Sequence, residues 1–338
     1  MLHKKGPPTF TTARTAMPQM YVLWLLAGCV ETSSEKPTSR DASEDSAGPE
    51  DPQTGTVRFV ALGDAGEGND GQYAVAQAIQ SVCAERGCDF ALYLGDNIYN
   101  TGVESVEDVQ FEEKFEAPYA DLDFPFYVTL GNHDYGGNGM GNEPDKAEPQ
   151  VAYTAVSEKW TLPDRTYAVD HEHVRLLSLD TNAIMWRTVW ETADAQQAWV
   201  EEALTSGHRW KLAFGHHPYV SNGQHGSAGF YEGIEGLTII SGQEVKDFFD
   251  ASICGKVDLY LCGHDHDMQW LEPTCGTEFI VSGAGAKTRS ISDWGQPTRF
   301  EVGDTLGFLW VEIEDDTLRG VFYDVDGAVL YEDIISKE

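Results

Sequence analysis

The sequence predicts an α/β fold, and three features of the chain lead to that prediction. Short apolar runs with strand character end in a glycine that is followed by an acidic or amide side chain. Between the first three of these runs lie stretches in which apolar residues have helical spacing, as in an open sheet with helices on its faces. Toward the C-terminus the runs alternate between apolar and polar residues, which indicates antiparallel strands. Because open α/β sheets bind ligands at the carboxyl ends of their strands, the residues after each strand are candidates for a functional site.

Residues 1–29 are typical of an export signal. Basic residues precede the apolar run 21–26, which is too short to span a bilayer but suits the apolar part of a signal peptide. The run ends in Leu26-Ala27-Gly28-Cys29, which resembles the lipobox of bacterial lipoproteins, where the cysteine is lipidated. We therefore expect an exported cell-envelope protein that touches the membrane only through a lipid anchor on Cys29. A plain secretory signal, giving a secreted or periplasmic protein, is the alternative. Because the segment before the apolar run is unusually long, translation from Met17 or Met20 is an alternative start.

Residues 30–55 and 56–338 differ in composition. The first segment is Ser, Thr, Pro, Asp and Glu with almost no apolar residues, so it cannot bury enough surface to offset its ordering entropy. We predict a disordered acidic tether there. The second segment suits one large domain, since the chain of 338 residues has 41% hydrophobic residues and nine tryptophans.

The charge of the chain excludes some classes of partner. Its 22 basic residues stand against 56 acidic ones, for a formal charge of −34. The segment 1–55 holds five basic and seven acidic residues, so the remainder carries 17 basic and 49 acidic residues. Nucleic acids and anionic membrane surfaces bind largely through Lys and Arg, so neither is expected as a partner. A small phosphate ester remains compatible with this charge if bound metal ions reverse the local potential.

Three strand-and-loop units open the domain. The strands are predicted at 57–62, 90–94 and 126–130, and their loops begin Gly63-Asp64, Gly95-Asp96 and Gly131-Asn132. A helix over 72–86, with Gly87 past its end, separates the first two strands, and a helix over 106–115 separates the next two. The Gly- and Asn-rich stretch 136–142 that follows is either a lid over a site or an ordinary insertion.

The second half of the domain continues the pattern. A hairpin is predicted from 166–170 and 174–180, with His171 and His173 as solvated residues at its turn. A helix begins near Asp194, which would cap it. Strands at 211–214 and 259–262 end in Gly215-His216 and Gly263-His264-Asp265-His266, with a helix between them at 244–253. The antiparallel runs are 278–282, 306–313, 317–324 and 329–335.

Six side chains at these strand ends have the chemistry of metal ligands. They are Asp64, Asp96, Asn132, His216, His264 and His266. Oxygen and imidazole donors together suit first-row metals, and this number of donors suits two ions, which Asp96 on a central loop would bridge. Each residue alone has an ordinary interpretation as a loop cap, a turn residue or a core histidine. Their joint occurrence at strand ends favours a dimetal site.

Five short blocks carry a resemblance to a known family. They are Asp64-Ala65-Gly66, Gly95-Asp96-Asn97-Ile98-Tyr99, Gly131-Asn132-His133-Asp134, Ala213-Phe214-Gly215-His216 and Gly263-His264-Asp265-His266. In this order they resemble the motifs of the calcineurin-like metallophosphoesterases. Gly66, where phosphodiesterase relatives usually have histidine, and Tyr99 make the chain most similar to purple acid phosphatases of the small, tartrate-resistant type. The resemblance implies a four-layer αββα sandwich of two mixed sheets for residues 56–338.

The resemblance also implies two metals and their ligands. Fe(III) would be held by Asp64, Tyr99 and His266, with Asp96 bridging to the second ion. That ion, Fe(II), Zn or Mn, would be held by Asn132, His216 and His264. A phenol with a pKa of ~10 ionises readily only beside a strong Lewis acid, which agrees with Fe(III) at the tyrosine.

Two further histidines match the outer-sphere positions of the family. His133 and His225 would orient the phosphate and protonate the leaving group, and packing or turn roles are the alternative. His217 departs from the aromatic residue common at its position, and we assign it no role. The implied activity is an acid phosphatase, a monomer in which a metal-activated hydroxide attacks small phosphate monoesters. A phosphodiesterase or nucleotidase of the same superfamily is the alternative, and a non-catalytic metal-binding surface lipoprotein is a third hypothesis.

The cysteines suit an exported protein. Cys83 and Cys88 flank a helix end and a strand start, and Cys254 and Cys275 flank a strand. Both pairs could form disulfides, although the sequence does not fix the pairing. Cys262 is expected to be a buried thiol, because a thiolate would suit zinc better than this oxygen-rich site.

Overall fold

Two β-sheets packed face to face form the centre of the molecule. The computed structural model describes residues 9–12, 55–187, 192–292 and 294–337. Within them the strands are β1 (Thr9–Thr12), β2 (Thr56–Leu62), β3 (Phe90–Leu94), β4 (Phe126–Thr129), β5 (Trp160–Thr161), β6 (Tyr167–His171), β7 (Val174–Ser178), β8 (Trp210–Phe214), β9 (Leu259–Cys262), β10 (Met268–Leu271), β11 (Glu278–Ser282), β12 (Thr298–Val302), β13 (Gly307–Glu314), β14 (Thr317–Asp324) and β15 (Val329–Ser336). The helices are α1 (Asp70–Arg86), α2 (Ala147–Tyr153), α3 (Thr181–Met185), α4 (Thr192–Ala203) and α5 (Gln243–Ser252).

The first sheet, called sheet I here, has the strand order β15-β14-β13-β2-β3-β4-β5. Strands β2 to β5 are parallel to one another, while β13, β14 and β15 are antiparallel to their neighbours. The carboxyl ends of β2, β3 and β4 therefore meet at the same edge. The sequence predicts that the residues after these three strands share one site, and this requires the parallel arrangement that sheet I has.

The second sheet, sheet II, has the order β1-β6-β7-β8-β9-β11-β10-β12. Strands β7, β8, β9 and β11 run parallel, so β8 and β9 also end at a common edge. The prediction that the run 278–282 is antiparallel was only partly right. It is antiparallel to β10 but parallel to β9, because the hairpin that β10 and β11 form places β11 between β10 and β9.

Apolar side chains fill the space between the sheets and both outer layers. In β9, Leu259 and Leu261 belong to the core that includes side chains of both sheets. Tyr260 and Cys262 point the other way, into a second core with α3, α4 and α5. Helix α1 packs on sheet I. The predicted α/β fold with two mixed sheets between helical layers is confirmed.

The helix boundaries follow local sequence signals in some places and not in others. Helix α1 begins after Asn69, whose side chain accepts from the Gln72 amide, and ends at Gly87, which has a φ of 83°. The helix predicted over 106–115 is wrong, because the chain forms only one π-helical turn at Glu112–Glu116. Asp194 does not cap α4. It lies in the first turn of that helix, where it pairs with Arg187.

The hairpin of β6 and β7 is as predicted, but its histidines are not solvated. The ring of His171 stacks on Phe90 with 4.4 Å between ring centroids, and its Nε2 lies 3.0 Å from the Tyr127 hydroxyl. His173 is only 5% exposed. The tertiary packing of the hairpin against sheet I, which turn chemistry alone does not reveal, covers both side chains.

Two disulfides join the cysteines in the pairs that the sequence suggested. They link Cys83 with Cys88 and Cys254 with Cys275. Cys262 is a buried free thiol, as expected. The second disulfide closes a loop around β9, the strand that precedes two of the candidate ligands, and so restricts the unfolded chain in this region.

The N-terminal expectations remain predictions. The lipobox cysteine and the tether lie outside the described residues. Strand β1 falls inside the predicted signal and pairs antiparallel with β6 at the edge of sheet II. Among the residues that the structure describes, no helix has the length and apolar character needed to cross a bilayer.

Candidate metal centre

The loops after five strands converge where the two sheets meet. Sheet I supplies the loops after β2, β3 and β4, and sheet II supplies those after β8 and β9. The side chains brought together are Asp64, Asp96, Tyr99, Asn132, His216, His264 and His266, all of them at most 9% exposed. The structure therefore gathers the seven residues for which the sequence analysis proposes ligand roles.

Three of these residues have left-handed backbone conformations. The φ angles are 56° at Asp64, 54° at Asp96 and 71° at His264. Residues with a Cβ adopt this region only when the surrounding structure compensates for the strain, and such residues cluster at functional sites. Each of them directly follows a strand-end glycine, and the sharp turn aims the side chain back into the space between the loops.

The first donor group consists of Asp64, Tyr99 and His266. The Tyr99 hydroxyl lies 2.8 Å from Asp64 Oδ1 and 3.3 Å from His266 Nε2. His266 Nε2 is 3.4 Å from Asp64 Oδ1. Three donor atoms of different residues thus lie within 3.4 Å of one another, which is the spacing expected of atoms that share one small ion.

The second donor group consists of Asn132, His216 and His264. His216 Nε2 lies 2.9 Å from Asn132 Oδ1 and 3.1 Å from His264 Nδ1. Asp96 Oδ1 is 3.4 Å from the same His216 nitrogen and accepts a hydrogen bond of 2.8 Å from the His133 amide. The two histidines that are separated by one residue therefore belong to different donor groups.

Hydrogen bonds from outside the cluster fix the orientation of its ligands. His216 Nδ1 lies 2.9 Å from the Leu94 carbonyl, so this nitrogen donates and leaves Nε2 free to bind a metal. The Asn132 amide donates to the Gly139 carbonyl at 2.7 Å, which turns its oxygen toward the cluster. Metal-binding side chains commonly have such partners, because they fix the tautomer and direct the lone pair.

Burial and the attraction between neighbouring groups set the pKa values of the cluster. Burial opposes charge on both His216 and Asp96, yet their attraction raises the pKa of His216 to about 9 and lowers that of Asp96. Burial, together with the charges of Asp64 and Asp96, raises the pKa of Tyr99 well above its ordinary value. Burial and neighbouring histidines lower the pKa of His264, which keeps it neutral, as a metal ligand must be.

The donor set fits two metal ions on chemical grounds. Carboxylate, phenol, amide and imidazole donors form two compact buried groups with Asp96 beside the second. Two buried carboxylates among clustered imidazoles offer the mixture of oxygen and nitrogen donors that two first-row metal ions would take.

The two predicted outer histidines flank the cluster on different sides. His133 Nδ1 lies 2.8 Å from the Asn100 carbonyl, and its ring is 4.4 Å from that of Tyr99. The His225 ring is 4.2 Å from that of His264. His225 Nδ1 contacts the carboxylate of Glu232, a partner that the sequence analysis missed, seven residues away in an irregular loop.

Asp134 joins two ligand loops, a role that the sequence analysis did not assign. Its carboxylate accepts hydrogen bonds from the amides of Gly131, Asn97 and Ile98 at 2.7–3.1 Å, as well as from the Asn97 side chain. Burial and the nearby charge of Asp96 raise its pKa to about 7. The sequence signal for this role was the position of Asp134 at the end of the block Gly131-Asn132-His133-Asp134.

His217 lies beside the second donor group. It is buried, its Nδ1 is 2.8 Å from the Thr181 hydroxyl, and its ring is 4.6 Å from that of His264. Its Nε2 has no hydrogen-bond partner among the described residues. With His216 and His264 it forms a group of three nitrogens that could hold a metal ion. Sequence spacing alone could not distinguish it from a core histidine.

The Gly- and Asn-rich stretch 136–142 lies against the site. Besides the contact of Gly139 with Asn132, the Gly141 carbonyl accepts from the Asn182 side chain at 2.9 Å. A Cβ at Gly139 would lie 2.6 Å from His133 Nε2. The stretch therefore supports the candidate ligand Asn132 through its backbone.

Two basic side chains that no sequence pattern singled out also lie beside the cluster. Lys287 Nζ is 3.2 Å from the centroid of the Tyr99 ring and 2.6 Å from the Glu67 carboxylate. Arg289 Nη1 is 2.8 Å from His225 Nε2. Both belong to the irregular segment between β11 and β12, where sequence periodicity gives no information.

Gly66 explains how the loop that carries Tyr99 approaches the loop that carries Asp64. The Tyr99 amide donates to the Gly66 carbonyl at 3.0 Å, and the Gly66 amide donates to the Asp96 carbonyl at 3.2 Å. A Cβ at Gly66 would lie 1.9 Å from the Asn97 carbonyl oxygen. A larger residue at this position is incompatible with the present path of the loop.

Comparisons with known proteins agree with this geometry. The calcineurin-like phosphoesterase family model matches residues 57–268. Tartrate-resistant acid phosphatase type 5 of Sus scrofa is 29% identical over 314 residues, which cover 82% of this chain and 86% of that protein. Purple acid phosphatase 3 of Arabidopsis thaliana is 30% identical over 82% of this chain and 77% of its own length.

A solved structure shares the fold at lower identity. GAP50, the anchor in the inner membrane complex of Plasmodium, superimposes with a TM-score of 0.66 and 21% identity, covering 84% of this chain and 89% of that one. This likeness concerns the fold alone. The family match spans the five strands that carry the candidate metal centre. The chain belongs to the calcineurin-like phosphoesterase family, and its relatives include purple acid phosphatases.

Proposed function

We propose that this protein is a dimetal acid phosphatase that hydrolyses small phosphate monoesters. The observation that carries the proposal is the position of the Tyr99 phenol, 2.8 Å from Asp64 and 3.3 Å from His266. A phenol in such a donor group selects a strong Lewis acid. The similarity to purple and tartrate-resistant acid phosphatases supports the same activity.

The identity of the first metal is part of the proposal. Because burial and two carboxylates raise the pKa of Tyr99, its phenolate forms only beside a cation of high charge density. Fe(III) is such an ion, and Asp64, Tyr99 and His266 would hold it. Fe(II), Zn or Mn would be held by Asn132, His216 and His264, with Asp96 bridging.

Two bound metals would supply a hydroxide for attack on phosphorus and neutralise charge on the phosphoryl oxygens. The protein's own side chains do the remaining work. His133, with Nδ1 on the Asn100 carbonyl, presents Nε2 toward the site and would orient the phosphate. His225, held by Glu232 through Nδ1, would deliver a proton from Nε2 to the leaving oxygen.

A metal analysis paired with a visible spectrum tests the proposal. The purified oxidised protein should contain iron and a second metal and show a phenolate-to-iron absorption band that Tyr99→Phe abolishes. A colourless iron-loaded protein would exclude Tyr99 as a ligand. The activity test is hydrolysis of p-nitrophenyl phosphate at mildly acidic pH, where His133→Ala and His225→Ala should each lower turnover by about 10²–10⁴-fold with metal content unchanged.

Two other functions remain to be distinguished. A phosphodiesterase or nucleotidase would hydrolyse bis(p-nitrophenyl) phosphate faster than the monoester. Gly66 speaks against a phosphodiesterase. Phosphodiesterase relatives usually have histidine at this position, and here the neighbouring loop leaves no space for a side chain. A non-catalytic surface protein would bind two metals and hydrolyse neither ester.

We also propose that the protein is exported and anchored through a lipid on Cys29, and that it acts as a monomer on a small soluble substrate. The sequence of the first 29 residues supports the anchor, and the acidic charge of the domain speaks against nucleic acid as a partner. Intact-mass analysis of the membrane fraction should find diacylglycerol on Cys29. A mature protein without lipid would contradict the anchor and leave the phosphatase proposal unaffected.

A further inference from the structure

The segment that follows β11 holds Arg289 beside the candidate metal centre. The Arg289 amide donates to the His266 carbonyl at 2.8 Å, and the Arg289 carbonyl accepts from the Asp304 amide at 3.0 Å. The backbone is thus fixed on both sides, and one of the two bonds is to a candidate ligand. These two hydrogen bonds therefore fix the backbone of Arg289 relative to the candidate metal centre.

The guanidinium of Arg289 differs from the other arginines in its partners. Its Nη1 lies 2.8 Å from His225 Nε2, and the guanidinium forms no salt bridge with a carboxylate of the described residues. An acidic group that feels its charge is Glu232, whose pKa is lowered first by the hydrogen bond with His225 and then also by Arg289. The remaining arginines in the described ranges pair with carboxylates, except Arg86, which stacks on two aromatic rings. In a domain with 49 acidic and 17 basic residues, a guanidinium without a carboxylate is unusual.

A guanidinium has five N–H donors, and one of them donates to His225 Nε2 in the structure. This nitrogen is therefore unprotonated there, and the uptake of the proton that it would deliver under the proposed function ends the contact and frees that donor too. The other donors can bind a planar or tetrahedral anion in a bidentate manner. An anion bound there would lie next to His225 Nε2. Under the proposed function, that nitrogen would face the leaving oxygen of the ester, and the metal ligands would hold the ions that bind the transferred phosphoryl group. The anion near Arg289 therefore belongs to the leaving group.

We propose that Arg289 is a specificity-determining residue that favours esters whose leaving group carries a carboxylate or a second phosphate close to the ester oxygen. The inference rests on the proposed function, since it uses the assignment of His225 to the leaving group. It adds a substrate class to that function. Neutral and cationic leaving groups are hydrolysed less efficiently, because they leave the guanidinium without its anionic partner.

The test compares O-phosphoserine with O-phosphoethanolamine, which differ by one carboxylate. The wild-type enzyme should have the higher kcat/KM for O-phosphoserine, and Arg289→Met should reduce this preference by about 10- to 100-fold, as expected for loss of a charge-assisted hydrogen bond. Arg319→Met is the matched control. Arg319 pairs with Glu332 and lies level with the start of β2, at the end of sheet I opposite the candidate ligands. The control should keep the wild-type preference. Comparison of ethane-1,2-diol bisphosphate with 2-hydroxyethyl phosphate, both of them esters, replaces the carboxylate by a phosphate. If Arg289→Met lowers the preference within one pair only, that pair identifies the anion.

Two results would overturn the proposal. One is a wild-type enzyme without preference for the carboxylate. The other is an Arg289→Met variant that loses the same factor on both substrates, which would mean that Arg289 acts only by positioning His225.

Binding without turnover separates this proposal from the proposed function. Calorimetry of the metal-loaded protein should find tighter binding of phosphonoacetate than of methylphosphonate, with a difference that Arg289→Met removes. If the protein hydrolyses no ester but keeps this difference, the activity is wrong and the anion site stands. Equal binding of the two phosphonates by the wild type would refute the anion site.

Discussion

At the scale of single residues, Asp134 controls whether two ligand loops keep their shape. We expect Asp134→Ala to lower the free energy of unfolding by roughly 3 kcal/mol or more, because it leaves buried amides of Asn97, Ile98 and Gly131 without an acceptor. Urea unfolding of the metal-free protein at pH 8, above the pKa of about 7 of this carboxyl, measures the effect. Asp326→Ala, at an exposed turn, is the control and should change stability little. An equal loss in both variants would remove the special role of Asp134.

Lys287 provides a second prediction at this scale, which depends on the proposed Fe(III) at Tyr99. Its ammonium lies 3.2 Å from the centroid of the tyrosine ring. A cation there stabilises the electron-rich phenolate more than the excited state, in which charge has moved to the iron. Lys287→Met should therefore shift the visible band to longer wavelength with the same iron content.

The half-buried Lys246 serves as the matched control for that spectrum. Lys246 pairs with Asp250 in α5, so Lys246→Met should leave the band in place. A band unchanged in Lys287→Met would show that the ammonium does not lie over a coordinated phenolate. A shift to shorter wavelength would contradict the sign of the argument.

At the scale of elements, the contact between the first two ligand loops depends on Gly66. We expect Gly66→Ala to lower the free energy of unfolding by roughly 1–3 kcal/mol and to weaken metal binding, because the new Cβ would overlap a backbone oxygen that must move. Gly207→Ala is the control, since a Cβ there meets nothing within 4 Å. Thermal unfolding and metal analysis of both variants check the prediction. Full metal content in Gly66→Ala would mean that the loop contact is dispensable.

At this scale, local sequence patterns predicted some elements and missed others. The residues that directly follow apolar strands were found, because parallel strands place their carboxyl ends together. The helix over 106–115 was wrong, since its apolar spacing led to one π-helical turn and irregular chain. The direction of β11 could not be read from alternation, because a strand of either direction alternates in the same way.

Long-range contacts at the site were beyond sequence reasoning. Arg289 reaches His225 across 64 positions, and Lys287 reaches Tyr99 from an irregular segment without periodicity. The burial of His173 was missed because the hairpin turn packs against another part of the chain. Local patterns identify which residues follow strands, but they do not identify which residues pack against them afterwards.

At the scale of the whole molecule, each donor group contains residues from both sheets. Asp64 and Tyr99 follow strands of sheet I, whereas His266 follows one of sheet II. Asn132 comes from sheet I and its partners His216 and His264 from sheet II. Each bound metal would therefore join the two sheets.

This arrangement predicts the effect of metal removal. The loaded protein should unfold at a higher temperature than the chelated protein, because at 100 times the dissociation constant each site adds about 2.7 kcal/mol. Calorimetry with and without chelator measures the difference, and addition of metal to the chelated protein should restore it. His266→Ala, which breaks the first group only, should retain part of the difference. Equal unfolding temperatures of loaded and chelated protein would contradict a metal link between the sheets.

The strand order of sheet I has a consequence for synthesis of the chain. Strand β2, which carries Asp64, is made early in the domain, yet one of its two neighbours is β13 at Gly307–Glu314. Until the ribosome has added those residues, β2 has an open edge toward solvent. A chain that stops before β13 would contain every candidate ligand, but β2 would pair on one side only, with β3, so the strand that carries the first ligand gains its second neighbour only after β13 has been made.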